Sequence, residues 1–300
     1  MDSDQRSKVE DNIFRFALGA IASWDNFPWH RDRNGECDSY KLHSSQALCL
    51  DVFGTLKVLP QSERDSIFSR LAGDLGLPTD GPWQVELEWC DAKNLLKESG
   101  TQRTQVDAKA TSPSALILFE CKFTESGGGC CSQVKPLVKG SHRGVRQCDG
   151  TYRMQVNPVN SVQARCTLTG KGIRYWKVIP RIFDLQSTAN YTPCPFRNSA
   201  YQWMRNLALA HELCRNEGKR AAFVIVHADS PWLRFTEYLK SHEWSALIAR
   251  LRPNTVAFGV RSFNWILIAG QETVDPEWTD LWRALQEWLQ TKINRSRESA

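Results

Sequence analysis

The pattern of apolar and polar positions predicts four strands in the middle of the chain and a further strand or hairpin near its end. Residues 83–89 (Trp-Gln-Val-Glu-Leu-Glu-Trp) alternate with period two, which is typical of a strand with one buried face. Residues 115–123 and 221–227 are almost continuously apolar, which indicates strands buried on both faces. Residues 104–108 form a shorter candidate strand, and residues 255–269 fit a further strand or a hairpin.

Apolar residues at spacings of three and four predict helices on both sides of these strands. The predicted helices cover residues 8–23, 44–56, 62–73, 195–216 and 275–293, with one or two more over 232–251. This order of elements favours an α/β fold in which helices flank a central mixed β-sheet. We expect three parts, namely an N-terminal helical part (1–82), a core formed by 83–125 and 195–300, and an insertion between its two pieces (126–194).

Charged residues at the end of the buried strand are candidates for catalysis. Glu120 and Lys122 are two residues apart, so their side chains project from the same face of the strand. Asp107 precedes them on the neighbouring short strand. Two carboxylates on adjacent strands can hold Mg²⁺ or Mn²⁺ through oxygen, and a lysine beside them can orient water at a phosphodiester or offset charge on its oxygens. From residue types alone, the alternative is a surface ion pair between Glu120 and Lys122.

Two further groups of residues are candidates to complete this site. Glu88 shares one face of the first strand with Glu86, and one of these carboxylates would add a metal ligand unless the face is a solvent-exposed strand edge. In the helix after the insertion, Gln202, Arg205 and Asn206 are three and four residues apart and share a face. From the residues alone, the alternative is an ordinary polar helix face.

Basic residues are concentrated in the insertion. The whole chain carries 38 Lys and Arg against 33 Asp and Glu, a net charge of +5. Residues 126–183 hold ten basic residues and one acid, Asp149, so this segment alone has a net charge of +9. The imbalance favours a polyanionic partner, with Tyr152, Tyr175 or Trp176 available to stack on bases. Contacts to the phosphate backbone are expected from Arg143, Arg146, Arg153, Lys171, Arg174 and Arg205. A solvated basic loop without a partner is the alternative.

Four cysteines in or beside the insertion are candidates for one metal centre. Cys131, Cys148, Cys166 and Cys194 are 17, 18 and 28 residues apart, and each adjoins a turn or polar residues. A polar segment with little core of its own would be ordered by thiolate ligation of Zn²⁺ or of a [4Fe–4S] cluster. Spacing alone does not decide between the two, and buried thiols without metal are the alternative.

Asp107 followed by Glu120-Cys121-Lys122 at the end of an apolar strand resembles the PD-(D/E)XK nuclease superfamily, which has the restriction-endonuclease-like fold. The resemblance covers about residues 44–230. It implies that Asp107 and Glu120 bind the metal and that Lys122 is the catalytic lysine. Because the superfamily often places a polar residue of the helix after the insertion beside the site, the resemblance also implies that Gln202 holds a water or a phosphate and Arg205 a phosphate.

Further phrases, at 120–125, 194–196 and 201–206, are similar to those of a bacterial branch of this superfamily. Two features depart from the family pattern: Val106 stands where the motif has proline, and about 70 residues separate the motif strand from the next core helix. Some nucleases of the superfamily carry an iron–sulfur cluster on four cysteines, so the resemblance favours [4Fe–4S] over Zn²⁺.

The residues and the resemblance together predict a Mg²⁺-dependent DNA nuclease, active in bacterial anti-phage defence or in DNA processing. They leave open RNA as the substrate and the choice between exonuclease and endonuclease. The alternative is a nucleic-acid-binding protein on the same fold that has no catalytic activity. No apolar run approaches the roughly 18 residues of a membrane span, and the first residues lack an apolar leader, so we expect a cytoplasmic protein with no membrane partner.

Overall fold

Five strands form one central sheet in the computed structural model, which describes residues 1–32, 34–99, 103–185, 193–253 and 255–298. The sheet contains β1 (Gln84–Cys90), β2 (Gln105–Thr111), β3 (Ala115–Lys122), β6 (Arg220–His227) and β7 (Ala257–Ser262), in the order β1-β2-β3-β6-β7. The first three strands are antiparallel, whereas β6 and β7 run parallel to β3. A separate small sheet is formed by β4 (Gln155–Val156) and β5 (Gln163–Ala164). The mixed sheet confirms the predicted α/β fold.

Helices flank this sheet. Those before β1 are α1 (Ser3–Glu10), α2 (Ser45–Cys49), α3 (Thr55–Val58) and α4 (Gln61–Asp74), and a π-helical turn (Leu50–Gly54) joins α2 to α3. Between β3 and β6 lie α5 (Thr167–Gly170), α6 (Tyr175–Ile182) and α7 (Tyr201–Glu217). The remaining helices are α8 (Arg234–Leu239), α9 (His242–Ile248), α10 (Phe263–Thr273) and α11 (Thr279–Glu298). Short 3₁₀ helices lie at Arg15–Ala20, Asp38–Tyr40, Ser132–Val134 and Pro276–Trp278.

Alternate residues of β3 pack into two different hydrophobic clusters. Ile117 and Phe119 belong to the first cluster, which includes residues of α2, α4, α10 and α11. Leu116 and Leu118 belong to the second cluster, which includes residues of α6, α7 and α9. Because both faces are covered, every residue of β3 is buried, as its continuous apolar run predicts. Its last residues are therefore held on a rigid central strand.

A tertiary contact interrupts one predicted helix. The predicted helix over 8–23 is interrupted, because α1 ends at Glu10 and the Phe14 amide donates to Asp51 Oδ1 at 2.6 Å. This contact, from a residue distant in sequence, overrides the local helical pattern. The segment 255–269, predicted as a strand or a hairpin, contains the strand β7 followed by the start of α10. Short apolar runs fit a buried helix as well as a strand, so the pattern did not separate the two elements.

The length and hydropathy of the helices bear on whether they could span a membrane. Within the part of the chain that the structure describes, no helix is both long enough and apolar enough to cross a membrane.

Candidate metal centre and active site

Three carboxylates form a row across β1, β2 and β3. Glu88 and Asp107 lie between the Leu87–Ala108 and Trp89–Val106 pairs of β1 and β2. The register of β2 against β3, continued one step beyond its last pair, places Asp107 opposite Glu120. Glu88 and Glu120 are only 7% and 3% exposed, so both carboxylates are enclosed by the protein.

β1 and β2 both change the face that they present to each cluster at this row of carboxylates. Leu87 packs in the first hydrophobic cluster, whereas Trp89, two residues later, packs in the second. Ala108 and Val106 on β2 show the same change. Between Leu87 and Trp89, Glu88 has a φ of +50°, which residues other than glycine seldom adopt. Such a conformation costs of the order of 1–3 kcal/mol and needs support from its surroundings.

Side-chain hydrogen bonds supply that support. Gln46 Nε2 donates to Glu88 Oε1 and Gln105 Nε2 donates to Glu88 Oε2, both at 2.6 Å. His30 Nε2 lies 3.6 Å from Glu88 Oε2. Gln46 also accepts a hydrogen bond from the His30 amide at 2.9 Å, which fixes the loop that carries the imidazole. The same glutamine therefore orients Glu88 and places His30 next to it.

His30, Glu88 and Asp107 form a candidate metal centre. One ligand atom from each lies within 4.8 Å of the other two, and no other group of three or more His, Cys, Asp or Glu among the described residues has this spacing. The His30 side chain is 48% exposed, so the centre is open towards solvent on that side. Sequence reasoning predicted Glu88 and Asp107 but missed His30, because the histidine lies in a loop without periodicity and far from Glu88 in sequence.

Glu120 is the hub of a hydrogen-bond network that joins β3 to α7. Lys122 Nζ donates to Glu120 Oε1 at 3.0 Å, and Gln202 Nε2 donates to the same oxygen. Asn206 Nδ2 donates to Glu120 Oε2 at 2.9 Å. Lys122 Nζ also donates to Gln202 Oε1 at 2.9 Å and lies 5.4 Å from the centre of the Trp203 ring. The structure thus brings together Glu120, Lys122 and Gln202 from two elements.

Burial and neighbouring charges shift the ionisation of this site. Burial raises the pKa of Asp107 well above its usual value, and the charges of Glu120 and Glu88 raise it further. Burial by itself would lower the pKa of Lys122, but attraction to the carboxylates of Glu120, Glu125 and Asp107 together outweighs it and raises that pKa, so the amine stays protonated. A hydrogen bond to Glu88 raises the pKa of His30. Negative groups therefore outnumber positive ones around Asp107.

Comparison with protein families bears on these residues. A family model described as "Restriction Endonuclease associating with ARP" matches residues 8–291. The chain belongs to this family. The match spans the His30 loop, all the strands and α7, and it confirms the resemblance to restriction endonucleases. Comparisons with the curated proteins and with the solved structures give no match.

In this restriction endonuclease family member, a run of glycines sets the start of α7. The Gly128 amide donates to the Ser199 carbonyl at 2.6 Å, and the Gln202 amide donates to the Gly128 carbonyl at 2.7 Å. A Cβ added at Gly128 would lie 2.4 Å from the Trp203 ring. Only glycine allows this approach, and the bonded segment explains why α7 starts at Tyr201 instead of the predicted residue 195.

A cavity of about 500 Å³ opens beside the Glu120 network. Gln202 lines it, together with three basic residues, Arg103, Lys171 and Arg205. Of the six predicted nucleic-acid contacts, Lys171 and Arg205 therefore lie at this cavity. Among the residues that the structure describes, the other four are not part of its lining: Arg143, Arg146, Arg153 and Arg174.

Several predicted contact residues of this family member already have partners within the chain. Arg205 Nη2 lies 3.0 Å from Glu98 Oε1, and the Tyr175 hydroxyl donates to the same oxygen. Tyr152 stacks on Trp176 with ring centres 3.8 Å apart. Tyr175 and Tyr152 are 2% and 8% exposed. The prediction that these two tyrosines stack on bases is therefore wrong, since their rings are buried in the protein.

The four predicted cysteines, Cys131, Cys148, Cys166 and Cys194, line a second cavity. Tyr201 lines both cavities, so the cysteines lie close to the start of α7.

Proposed function

We propose that this restriction endonuclease family member is a metal-dependent nuclease that hydrolyses phosphodiester bonds in DNA. The observation that carries the proposal is the placement of His30, Glu88 and Asp107 within 4.8 Å of one another, in register with Glu120 and its bonded lysine. Membership of the family supports nuclease activity. The clustered donors support this site as the place where the phosphodiester bond is hydrolysed.

The donor set fits a divalent cation. Glu88, Asp107 and Glu120 offer carboxylate oxygens, the ligands preferred by Mg²⁺ and Mn²⁺, and His30 adds a nitrogen. The three carboxyl groups lie near one ammonium, that of Lys122, and the imidazole of His30, so acidic groups outnumber basic ones at the centre. A divalent cation would neutralise this excess, which agrees with the direction of the Asp107 pKa.

A bound cation would polarise a phosphodiester and lower the pKa of an attacking water. The side chains of this chain would then orient the reactants. Lys122 Nζ, held between Glu120 Oε1 and Gln202 Oε1, has a third proton available to orient water or to stabilise charge on a phosphate oxygen. Gln202 and Asn206 fix the Glu120 carboxylate, so that its oxygens keep their direction.

The cavity beside Gln202 supports a nucleic-acid substrate. Its basic lining, which includes Arg103 and Lys171, would hold phosphates of a strand whose scissile bond lies at Glu120. Membership of a restriction endonuclease family favours DNA as that substrate and supports a role in anti-phage defence or DNA processing.

The test is cleavage of linear and circular DNA by the purified protein with Mg²⁺, with Mn²⁺ and with a chelator. We expect cleavage that depends on the metal and a loss of about 10²-fold or more in Lys122→Ala. Lys109→Ala is the matched control, because Lys109 is also a buried lysine of the sheet but pairs with Glu86 outside the site. It should cleave like the wild type.

Three results would contradict the proposal. Wild-type rates in Lys122→Ala would remove the lysine from the mechanism. Metal-independent cleavage would remove the metal centre. Binding of DNA without cleavage under all these conditions would identify a catalytically silent nucleic-acid-binding protein. RNA of the same sequence, tested in parallel, would show whether DNA is the preferred substrate.

A further inference from the structure

Four cysteines that are far apart in sequence share the wall of one cavity. Cys131, Cys148, Cys166 and Cys194 all line it, and all four are free thiols of intermediate exposure. The other lining residues are mainly apolar or aromatic, including Leu168, Trp176, Phe196 and Met204. An apolar wall that presents four sulfurs to one space would exclude water from whatever the sulfurs hold.

One of the four sulfurs accepts hydrogen bonds from neighbouring groups. The Gly150 amide donates to Cys148 Sγ at 3.3 Å, and Gln155 Nε2 donates to the same sulfur at 3.6 Å. Hydrogen bonds directed at sulfur stabilise thiolates, and bonds of this kind also accompany metal-bound sulfurs.

The spacing of the sulfurs separates two kinds of metal centre. Four thiolates around one Zn²⁺, at Zn–S distances of about 2.3 Å, lie about 3.8 Å from one another. Within the described ranges, no three of these sulfurs lie within 4.8 Å of one another. Sulfurs that surround a shared cavity at wider spacing fit the corners of an iron–sulfur cluster better than the ligand shell of a single ion.

The loops that carry the cysteines are bonded to the segment that leads into α7. The Cys131 amide donates to the Arg197 carbonyl at 3.0 Å, and the Cys194 amide donates to the Gly150 carbonyl at 2.8 Å. Tyr201 and Met204 of α7 line the cysteine cavity, while Gln202 of the same turn bonds Glu120. One turn of helix therefore connects the cysteines to the candidate active site.

We propose that Cys131, Cys148, Cys166 and Cys194 bind one [4Fe–4S] cluster, which fixes the start of α7 and thereby positions Gln202. The cluster is structural and takes no part in hydrolysis. Its existence does not depend on the proposed nuclease activity; only its effect on Gln202 rests on that proposal.

The test is the iron and acid-labile sulfide content of the full chain purified without air. We expect about four irons and four sulfides per chain in the wild type, with the broad visible absorption of an iron–sulfur protein. Cys166→Ser should lose both. Cys214→Ser and Cys130→Ser are matched controls, since neither Cys214 nor Cys130 lines the cysteine cavity, and both variants should keep full iron.

A single zinc per chain, or no metal in the wild type, would overturn the cluster, and this measurement needs no variant to fold. Unchanged iron in Cys166→Ser would overturn the ligand assignment. Lys122→Ala should lose cleavage but keep its iron, so failure of the nuclease proposal and failure of the cluster proposal give different results. In limited proteolysis, Cys166→Ser should be cut faster within residues 126–185 than Cys214→Ser.

Discussion

Ligand atoms of Glu88 and Asp107 lie within 4.8 Å of each other, between the Leu87–Ala108 and Trp89–Val106 pairs of β1 and β2, at the point where both strands exchange one hydrophobic cluster for the other. A regular strand would place Leu87 and Trp89 in the same cluster. The positive φ of Glu88 prevents this and leaves two carboxylates at a backbone irregularity. Backbone strain maintained by surrounding hydrogen bonds is typical of functional sites, and it sets the position of the candidate metal centre.

His30 is expected to contribute to metal affinity. In His30→Ala, half-maximal cleavage should require a metal concentration about tenfold higher or more, because one donor next to Glu88 and Asp107 is lost. The fold should be retained, since the side chain is half-exposed. His43→Ala is the control, because His43 is an exposed histidine that lines a cavity next to His30 but is not among the three clustered donors. Equal metal titrations for both variants would show that His30 is not a ligand.

Asp107 should make the metal-free protein less stable as the pH rises. Its pKa in the folded state is raised well above the usual 3.8, so the folded chain holds this proton more tightly than the unfolded chain. The stability this gives is present below pH 3.8 and is lost as the pH rises through the folded pKa. With a chelator present, the melting temperature of Asp107→Asn should therefore increase relative to that of the wild type as the pH rises.

Added Mg²⁺ should raise the melting temperature of the wild type but not that of Asp107→Asn, because ligand binding stabilises only a folded state that has the site. Both comparisons use differential scanning calorimetry at matched ionic strength. A constant difference between the two proteins across pH would mean that neither burial nor the nearby carboxylates raise the pKa of Asp107.

Gly128→Ala should disturb α7 and, through it, Gln202. The added methyl group would lie 2.4 Å from the Trp203 ring, and overpacking of this kind costs about 1–3 kcal/mol. Cleavage should fall by more than the loss of folded protein explains. Gly73→Ala is the control, because the nearest atom to its added methyl would be 3.7 Å away. Urea unfolding and cleavage rates of both variants check this, and equal stability would show that the loop moves aside.

The salt dependence of DNA affinity should report the basic contacts. If five basic side chains meet phosphates, log K should fall with log salt at a slope of about −4.5 on duplex DNA. Lys171→Ala should reduce the magnitude of that slope by about 0.9, because Lys171 lines the cavity beside Gln202. Lys240→Ala should leave the slope unchanged, because Lys240 is an exposed lysine that pairs with Glu237 of α8. Fluorescence anisotropy at several salt concentrations measures both, and identical slopes would place the substrate elsewhere.

Strand signals and the Glu-x-Lys pair could be predicted from the sequence because both depend on neighbouring residues. The apolar run of β3 fixes which face Glu120 and Lys122 occupy, and the contact between them follows from a spacing of two. The contact between Lys122 and Gln202 joins residues far apart in sequence, and only the family resemblance pointed to that helix.

His30 and the conformation of Glu88 could not be predicted in this way. The histidine reaches the site because Gln46, on a helix that neither residue belongs to, bonds both its amide and Glu88. The alternation of β1 predicts a regular strand, and nothing local to Glu88 indicates a positive φ. Both features depend on tertiary contacts, which a pattern of apolar and polar positions does not record.

The position of β6 in the sheet has a consequence for synthesis of the protein. The strand that carries Glu120 and Lys122 is translated early, but its parallel neighbour begins only at Arg220. Until that neighbour emerges, β3 has an open edge and half of its core is missing. We expect a ribosome-bound chain that stops before Arg220 to be protease-sensitive throughout β3 and unable to cut nucleic acid. Release of the full chain should remove both properties. The candidate active site is therefore completed only after β6 has been translated.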